Sequence, residues 1–536
     1  MYRLPSRLLR QRNELRTPLL ENNNVHDAYD QEGSRHDNPL DQNGLDIHIE
    51  QGLQPEEEAS LQKLAELLKV SPGVTSNTCQ DGCCPSMRPG DHVHLMQTFV
   101  SQQFPEPPTD LDQDLGEHLK KVQGTVLCEI RTLGPRLEPL GLVGCLIDCF
   151  HRHTFDHLQN LLQNTNSSKN SFVLMKWSLK KYLSQELLGH SDLRKMEPIQ
   201  KVDLLLLTEW GEKAKDKLLK NVQKELRESL HNILHNERTH ERCDNEEDYV
   251  RLYVDAIQCV DAMPKEAQKI SSKLYDYVQE VCFQELLVFV RSYVSEQAQR
   301  LEEKAKMDQQ QTIHFLKTLK TCKELRQHVQ AKGSGTPGCG ETVAVLENME
   351  AFTLKLLMNF VADVTEKHFQ RFFCSDTRWG LFAAVETHFP KLSYGADEQK
   401  RVMDEAYKVI VGIYIKHLTK TKRSKLETCW SPNVGKTVAE DAEQLHSFIS
   451  GLAPGVQKRN LQSITELLDC TCNEALKFIA IDLRALCLSL SEDADLLPAL
   501  LRWKGVSKGT VREVLDIVDH NSGPRSGSWF FCLVCC

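Results

Sequence analysis

The sequence predicts an all-α protein, an array of consecutive helical bundles behind a disordered N-terminal tail. Apolar residues recur at steps of three and four through most of residues 115–518, the period of helices with one buried face. Proline- and glycine-bearing breakers cut this text into lengths that suit helical hairpins joined by short loops. Before about residue 112 the text is polar and turn-rich, with too little apolar surface to offset the entropy of an ordered chain.

In chain order, residues 1–112 form the tail, with stretches such as "ENNN", "DQEGSRHDNPLDQNG" and "FPEPPTD". One short amphipathic helix is expected near 56–70, where Leu61, Leu64, Leu67 and Leu68 share a face and Glu56, Glu57 and Glu58 suit its positive N-terminal end. Breakers in the body fall at Pro135 with Pro139, Pro198, Pro264, "GSGTPGCG" (333–340), Pro390 to Gly395, Pro432 to Gly435, Pro454 and Pro498. They predict N-terminal helical bundles over 113–332 and C-terminal bundles over 341–519. One long helix is expected where Leu274, Tyr277, Val278, Val281, Leu286, Phe289, Val290, Tyr293, Val294 and Leu301 make a buried stripe. The same step recurs at Phe352, Leu356, Leu357, Phe360, Val361, Val364 and Phe372, and at Ile464, Leu467, Leu468, Cys472, Ile479, Leu483 and Leu486. "VIVGIYI" (409–415) has strand-like composition, but Tyr407, Ile410, Val411, Tyr414, Ile415 and Leu418 keep helical spacing, so it too reads as helix. No repeat with a period of 20 to 50 residues is visible. Residues 520–536 read as a flexible, cysteine-rich apolar tail.

Composition narrows the function classes. The chain has 536 residues, too many for a single core. Charged residues make up 26% and hydrophobic ones 40%, with a mean hydropathy of -0.41. A net charge of -10 argues against nonspecific nucleic-acid binding by the whole chain. No run approaches the roughly 18 apolar residues of a spanning helix, and the arginine-punctuated start does not read as a secretory signal. Of the 19 cysteines, those of the body, such as Cys259, Cys282, Cys374 and Cys487, are scattered singly through apolar segments, which suits buried thiols in a reducing compartment. The cytoplasm is the expected compartment.

Chemical motifs give little. In "NVGKT" (433–437), Lys436 and Thr437 imitate the end of a phosphate loop, but Trp430 occupies the place of its first glycine. Cys145, Cys149, His153 and His157 step by four along one helix face; four such ligands span about 18 Å, too far to share an ion. The segment from Cys79 to His94, with Cys83, Cys84 and His92, is the alternative reading: a loop that could wrap zinc in a zinc-binding or otherwise enzymatic protein. No nucleophile elbow, zinc-protease helix or kinase motif set occurs. The expectation is a protein with no catalytic site and no cofactor.

Three segments carry a resemblance. "LLPALLRWKGVSKGTVREVLDIV" (496–518) is similar to the closing helices of the exocyst complex component 3 family, "LLVFVRSYVSEQAQRL" (286–301) to its long central helix, and "NFVADVTEKHFQRFF" (359–373) to another. The length suits the shortened branch that includes tumour necrosis factor alpha-induced protein 2 and the exocyst component 3-like proteins. The resemblance covers about 115–520 and is one of pattern rather than invariant chemistry. It implies an elongated rod of helical bundles and a non-enzymatic vesicle-tethering or membrane-remodelling role in exocytosis, peripheral at the plasma membrane or vesicles, with exocyst subunits, SNARE proteins or small GTPases as partners.

Two terminal features fit a membrane partner. Arg3, Arg7, Arg10, Arg12 and Arg16, interleaved with leucines, suit an anionic membrane surface; a presequence or an idle tail has the same composition. In "GSWFFCLVCC" (527–536), Leu533 stands where Cys-a-a-X prenylation needs cysteine. Cys532, Cys535 and Cys536, beside Trp529, Phe530, Phe531 and Val534, instead suit S-acylation, against the plain alternative of an untethered apolar end. "KHLTKTKRSK" (416–425) crowds Lys416, Lys420, Lys422, Arg423 and Lys425 at a helix end, where positive charge also offsets the macrodipole.

Overall fold

The computed structural model describes residues 89–520 except 240–242, 244, 307–311, 334, 374–379, 390–393, 459–460 and 491–494. Among the described residues there are helices and connecting turns and no strand. The helix near 56–70 lies outside them, as do both terminal segments. By packing, the chain divides into two units, Met1–Ser229 with Cys259–Glu285, and Leu230–Gln258 with Leu286–Cys536.

The first unit begins with α1 (Pro89–Gln103), α2 (Leu111–Leu137), α3 (Val143–Asn164) and α4 (Ser168–Lys176). Asp110 starts α2 as its N-cap, its carboxylate accepting from the amides of Asp112 at 2.9 Å and Gln113 at 3.2 Å. Leu119, Val122, Val126 and Ile130 of α2 are buried in this unit's core, as are Leu146, Ile147 and Phe150 of α3 and Met96, Phe99 and Val100 of α1. Each such side chain contributes about 1.5–3 kcal/mol relative to exposure. After α4 the backbone passes through one π turn and two short 3-10 turns to Lys201. His151 of α3 ties this irregular segment down, one ring nitrogen lying 2.8 Å from the Tyr182 hydroxyl and the other 2.8 Å from the Asp203 carbonyl.

Three long helices, α5 (Leu204–Thr239), α6 (Glu246–Gln268) and α7 (Ser272–Ala305), contribute residues to each unit. The stripe expected on α7 is present, with Leu274, Val278, Leu286, Phe289, Val290, Tyr293 and Leu301 buried. Val281 and Val294 are half-buried, and Tyr277 is 36% exposed beneath the Lys215 ammonium. Glu285 is buried on the same helix because it has partners in the first unit. Arg227 donates two hydrogen bonds to it, at 2.7 and 2.8 Å, and Gln223 a third at 2.8 Å. Burial works to raise the Glu285 carboxyl, and those donors outweigh it, so the group sits below the usual carboxylate range.

Pro135 and Pro264, expected to separate helices, lie in helix interiors instead. Pro135 falls in α2 and Pro264 in α6, both near the C-terminal end. The lost N–H and the ring clash affect one turn only, and tertiary packing carries each helix past it.

The second unit continues with α8 (Thr312–Lys332), α9 (Cys339–Phe372), α10 (Gly380–His388), α11 (Ala396–Lys420), α12 (Arg423–Cys429), α13 (Val434–Leu452), α14 (Gln462–Asp469), α15 (Asn473–Leu490), α16 (Leu496–Lys504) and α17 (Lys508–His520). α8 and α9 form a hairpin, and α9 packs in turn on α11. The buried row of α9 steps by four through Thr353, Leu357, Val361, Thr365 and Phe369. Both threonines lose their polarity to the helix itself, each hydroxyl donating to the carbonyl four residues back. Glu350 lies buried between Arg326 of α8 at 3.0 Å and Arg401 of α11 at 2.6 Å. "VIVGIYI" is helical, inside α11. That helix opens at Gly395, whose φ of 76° and the Tyr249 hydroxyl 2.8 Å from where a Cβ would stand leave room only for glycine.

Candidate interaction surfaces

The residues expected to touch a membrane, Arg3, Arg7, Arg10, Arg12, Arg16, Cys532, Cys535 and Cys536, lie outside the described residues. So do Cys79, Cys83 and Cys84 of the zinc alternative; of that segment His94 has a described side chain, which is exposed on α1. Among the described residues no group of three or more His, Cys, Asp or Glu side chains could hold a metal ion.

The motifs within the described residues turn out to build structure. Cys149 is buried on α3, and desolvation foremost pushes its thiol up to about 12, away from reactivity. His153 packs edge-on against Phe104 at 4.5 Å between ring centres. His157 meets His118 of α2, their Nε2 atoms 2.7 Å apart. Burial, then His118 and His153, holds the His157 ring down to about 4, so the pair is neutral near pH 7. In "NVGKT", Asn433 caps α13 by accepting from the Lys436 amide at 3.0 Å. The Thr437 hydroxyl turns back to the Asn433 carbonyl at 3.1 Å. This is a capped helix start rather than a phosphate loop.

What faces outward is of two kinds. The basic run spans the end of α11 and the start of α12, with Lys416, Lys420, Lys422, Arg423 and Lys425 exposed. Part of its charge is met locally, Lys416 lying 3.4 Å from Glu366 and Arg423 2.9 Å from Glu427. His417 shares Glu366 at 2.5 Å, and that hydrogen bond leads the causes holding the Glu366 carboxyl below its usual range. The helix-end role expected for this run is therefore accompanied by ion pairing, each exposed pair contributing at most about 1 kcal/mol.

The second kind is apolar. On α15, Phe478 is 71% and Leu488 57% exposed, while Leu476, Ala480, Leu483 and Cys487 on the other side are buried. Reading the sequence missed this outer face. The signal was present, since "ALKFIAIDLRALCL" is apolar nearly all round, but a helix of that kind ordinarily reads as buried on every side. In the first unit Ile199, Leu204 and Leu205 form a smaller exposed group where α5 begins. No helix among the described residues is long and apolar enough to cross a membrane.

Comparison with known proteins follows the architecture. The search of curated proteins gives no significant match. Among solved structures, one described as "Crystal structure of M-Sec" is similar to this chain with a TM-score of 0.64 and 16% identity, covering 88% of this chain and 85% of that one. At that identity the likeness concerns the fold. The model of the family described as exocyst complex component Sec6 matches residues 96–487, from α1 to within α15. The chain belongs to the exocyst complex component Sec6 family.

Proposed function

We propose that this protein is a non-enzymatic tether related to exocyst subunits, which holds vesicles near their target membrane or remodels that membrane during exocytosis. The family match over residues 96–487 is the observation that carries this reading. The helical architecture supports it, because long helices offer extended faces on which partner helices can lie. Exocyst subunits are the first partners this implies, with SNARE proteins and small GTPases the finer proposal; within the family, the shortened exocyst component 3-like branch is the proposed place of this chain. Peripheral membrane contact through the N-terminal arginines and acylation of Cys532, Cys535 and Cys536 belong to the same reading. Affinity capture of the tagged full-length chain from cells, followed by mass spectrometry, tests it. Recovery of exocyst subunits, SNAREs or GTPases above a tag-only control is expected; a capture free of all three classes overturns it.

A further inference from the structure

The outer face of α15 has a spacing as well as a composition. Phe478, Ile481 and Leu488 are 71, 37 and 57% exposed, and Ala485 between them is exposed too. Their steps of three, four and three place them in one row, about 15 Å long at 1.5 Å per residue. This is the spacing of the seam by which one helix packs on another.

Hydrogen bonds and ion pairs in the surrounding helices fix where the chain next emerges. Lys504, the last residue of α16, donates to the carbonyls of Leu467 and Cys470, just before α15 begins. α17 therefore starts at the N-terminal end of α15. Glu513, midway along α17, meets Lys477, in the second turn of α15, at 2.9 Å, and the two helices pack side by side. They run in the same direction and in register. His520 ends α17 seven residues after Glu513, about 10 Å further along, which brings it level with Arg484, the middle of the exposed row.

Residues 521–536 continue from that point and carry the chain's densest apolar block, Trp529, Phe530, Phe531, Leu533 and Val534. Nine steps separate His520 from Trp529, a reach of up to about 30 Å, whereas either end of the row lies within about 10 Å of the exit level along the helix. A tether this short gives an effective concentration of order millimolar, so even weak contact is occupied in cis. We propose that residues 529–534 dock on the row Phe478, Ile481, Ala485 and Leu488 of α15 of the same chain.

The test uses the purified full-length chain without lipid, so that its outcome is separable from the tethering reading. Phe478→p-benzoylphenylalanine and Leu488→p-benzoylphenylalanine are irradiated, and cross-linked peptides are mapped by mass spectrometry. Leu205→p-benzoylphenylalanine, on the other unit's exposed group, is the control. Cross-links from 478 and 488 to peptides containing 529–534 are expected, at monomer mass and independent of protein concentration, with at least tenfold lower yield at 205. Ile481→Asp with Ala485→Asp, both on the exposed face and checked for unchanged helicity, should reduce the yield at least tenfold. Dimer-mass cross-links that grow with concentration assign the row to a second copy and overturn the proposal. Yield equal to the control, or unaffected by the aspartates, overturns it as well.

Discussion

His118 and His157 face each other across α2 and α3 at a distance that requires at least one ring to be unprotonated. The His157 ring is held down to about 4, by burial first and by His118 and His153 after it. His118, His151 and His153 are shifted downward as well, with burial the leading cause for each. A histidine in an unfolded chain titrates near 6.5. Between that value and about 4 the unfolded chain therefore binds more protons than the folded one, and stability rises with pH. The His157 contribution is complete above about pH 6.5 and is lost as pH falls toward about 4. The urea midpoint of the full-length protein is expected to fall between pH 7 and pH 5, and His157→Gln, which keeps hydrogen-bonding atoms but does not titrate, to make that fall shallower. An unchanged pH dependence in the variant would show that His157 is not held neutral by the fold.

Helices are the scale at which the sequence was most legible. On α7 the apolar rows marked the buried face, and on α11 spacing outweighed strand-like composition. Polar residues with internal partners escaped that logic. Glu285 is buried on the face of α7 because Arg227 and Gln223 reach it, and Thr353 and Thr365 are buried on α9 because their hydroxyls are satisfied within the helix. None of those partnerships is visible in a hydropathy pattern, since they join residues by tertiary position or replace an apolar side chain by a self-satisfied one. The outer face of α15 escaped for the opposite reason: where both faces are apolar, periodicity gives no contrast from which to tell covered from exposed. Adjacent residues on α7 supply a direct check of face assignment. Phe289 is 5% exposed and its neighbour Val288 48%. Phe289→Asp, which puts an unpaired carboxylate into the core, is expected to cost about 3–5 kcal/mol by denaturant unfolding, and Val288→Asp about 0.5 kcal/mol or less. Equal costs for the two would mean that the buried face of α7 is misplaced.

At the scale of the whole chain, the proposed membrane contact has to overcome the protein's net charge of -10. Its average field is repulsive, so attraction has to be local and short-ranged, acting within the Debye length of about 8–10 Å. The first sixteen residues hold five arginines against the single acid Glu14, and each basic residue near the surface contributes about 1 kcal/mol. That component weakens as salt is added. An acyl chain behaves otherwise, contributing about 0.8 kcal/mol for each buried methylene with little dependence on salt, though one chain alone holds only reversibly. The proposed arginine and cysteine contacts can thus be told apart by ionic strength. Protein isolated from cells is expected to float with phosphatidylserine-containing vesicles in a salt-sensitive and a salt-resistant fraction. Replacing Arg3, Arg7, Arg10, Arg12 and Arg16 by Gln should remove the sensitive fraction, and Cys532→Ser with Cys535→Ser and Cys536→Ser the resistant one, with helicity unchanged in both. Flotation that persists at high salt in the cysteine variant would place the membrane contact elsewhere in the chain, and flotation indifferent to the arginines would leave the N-terminal segment without a role at the bilayer.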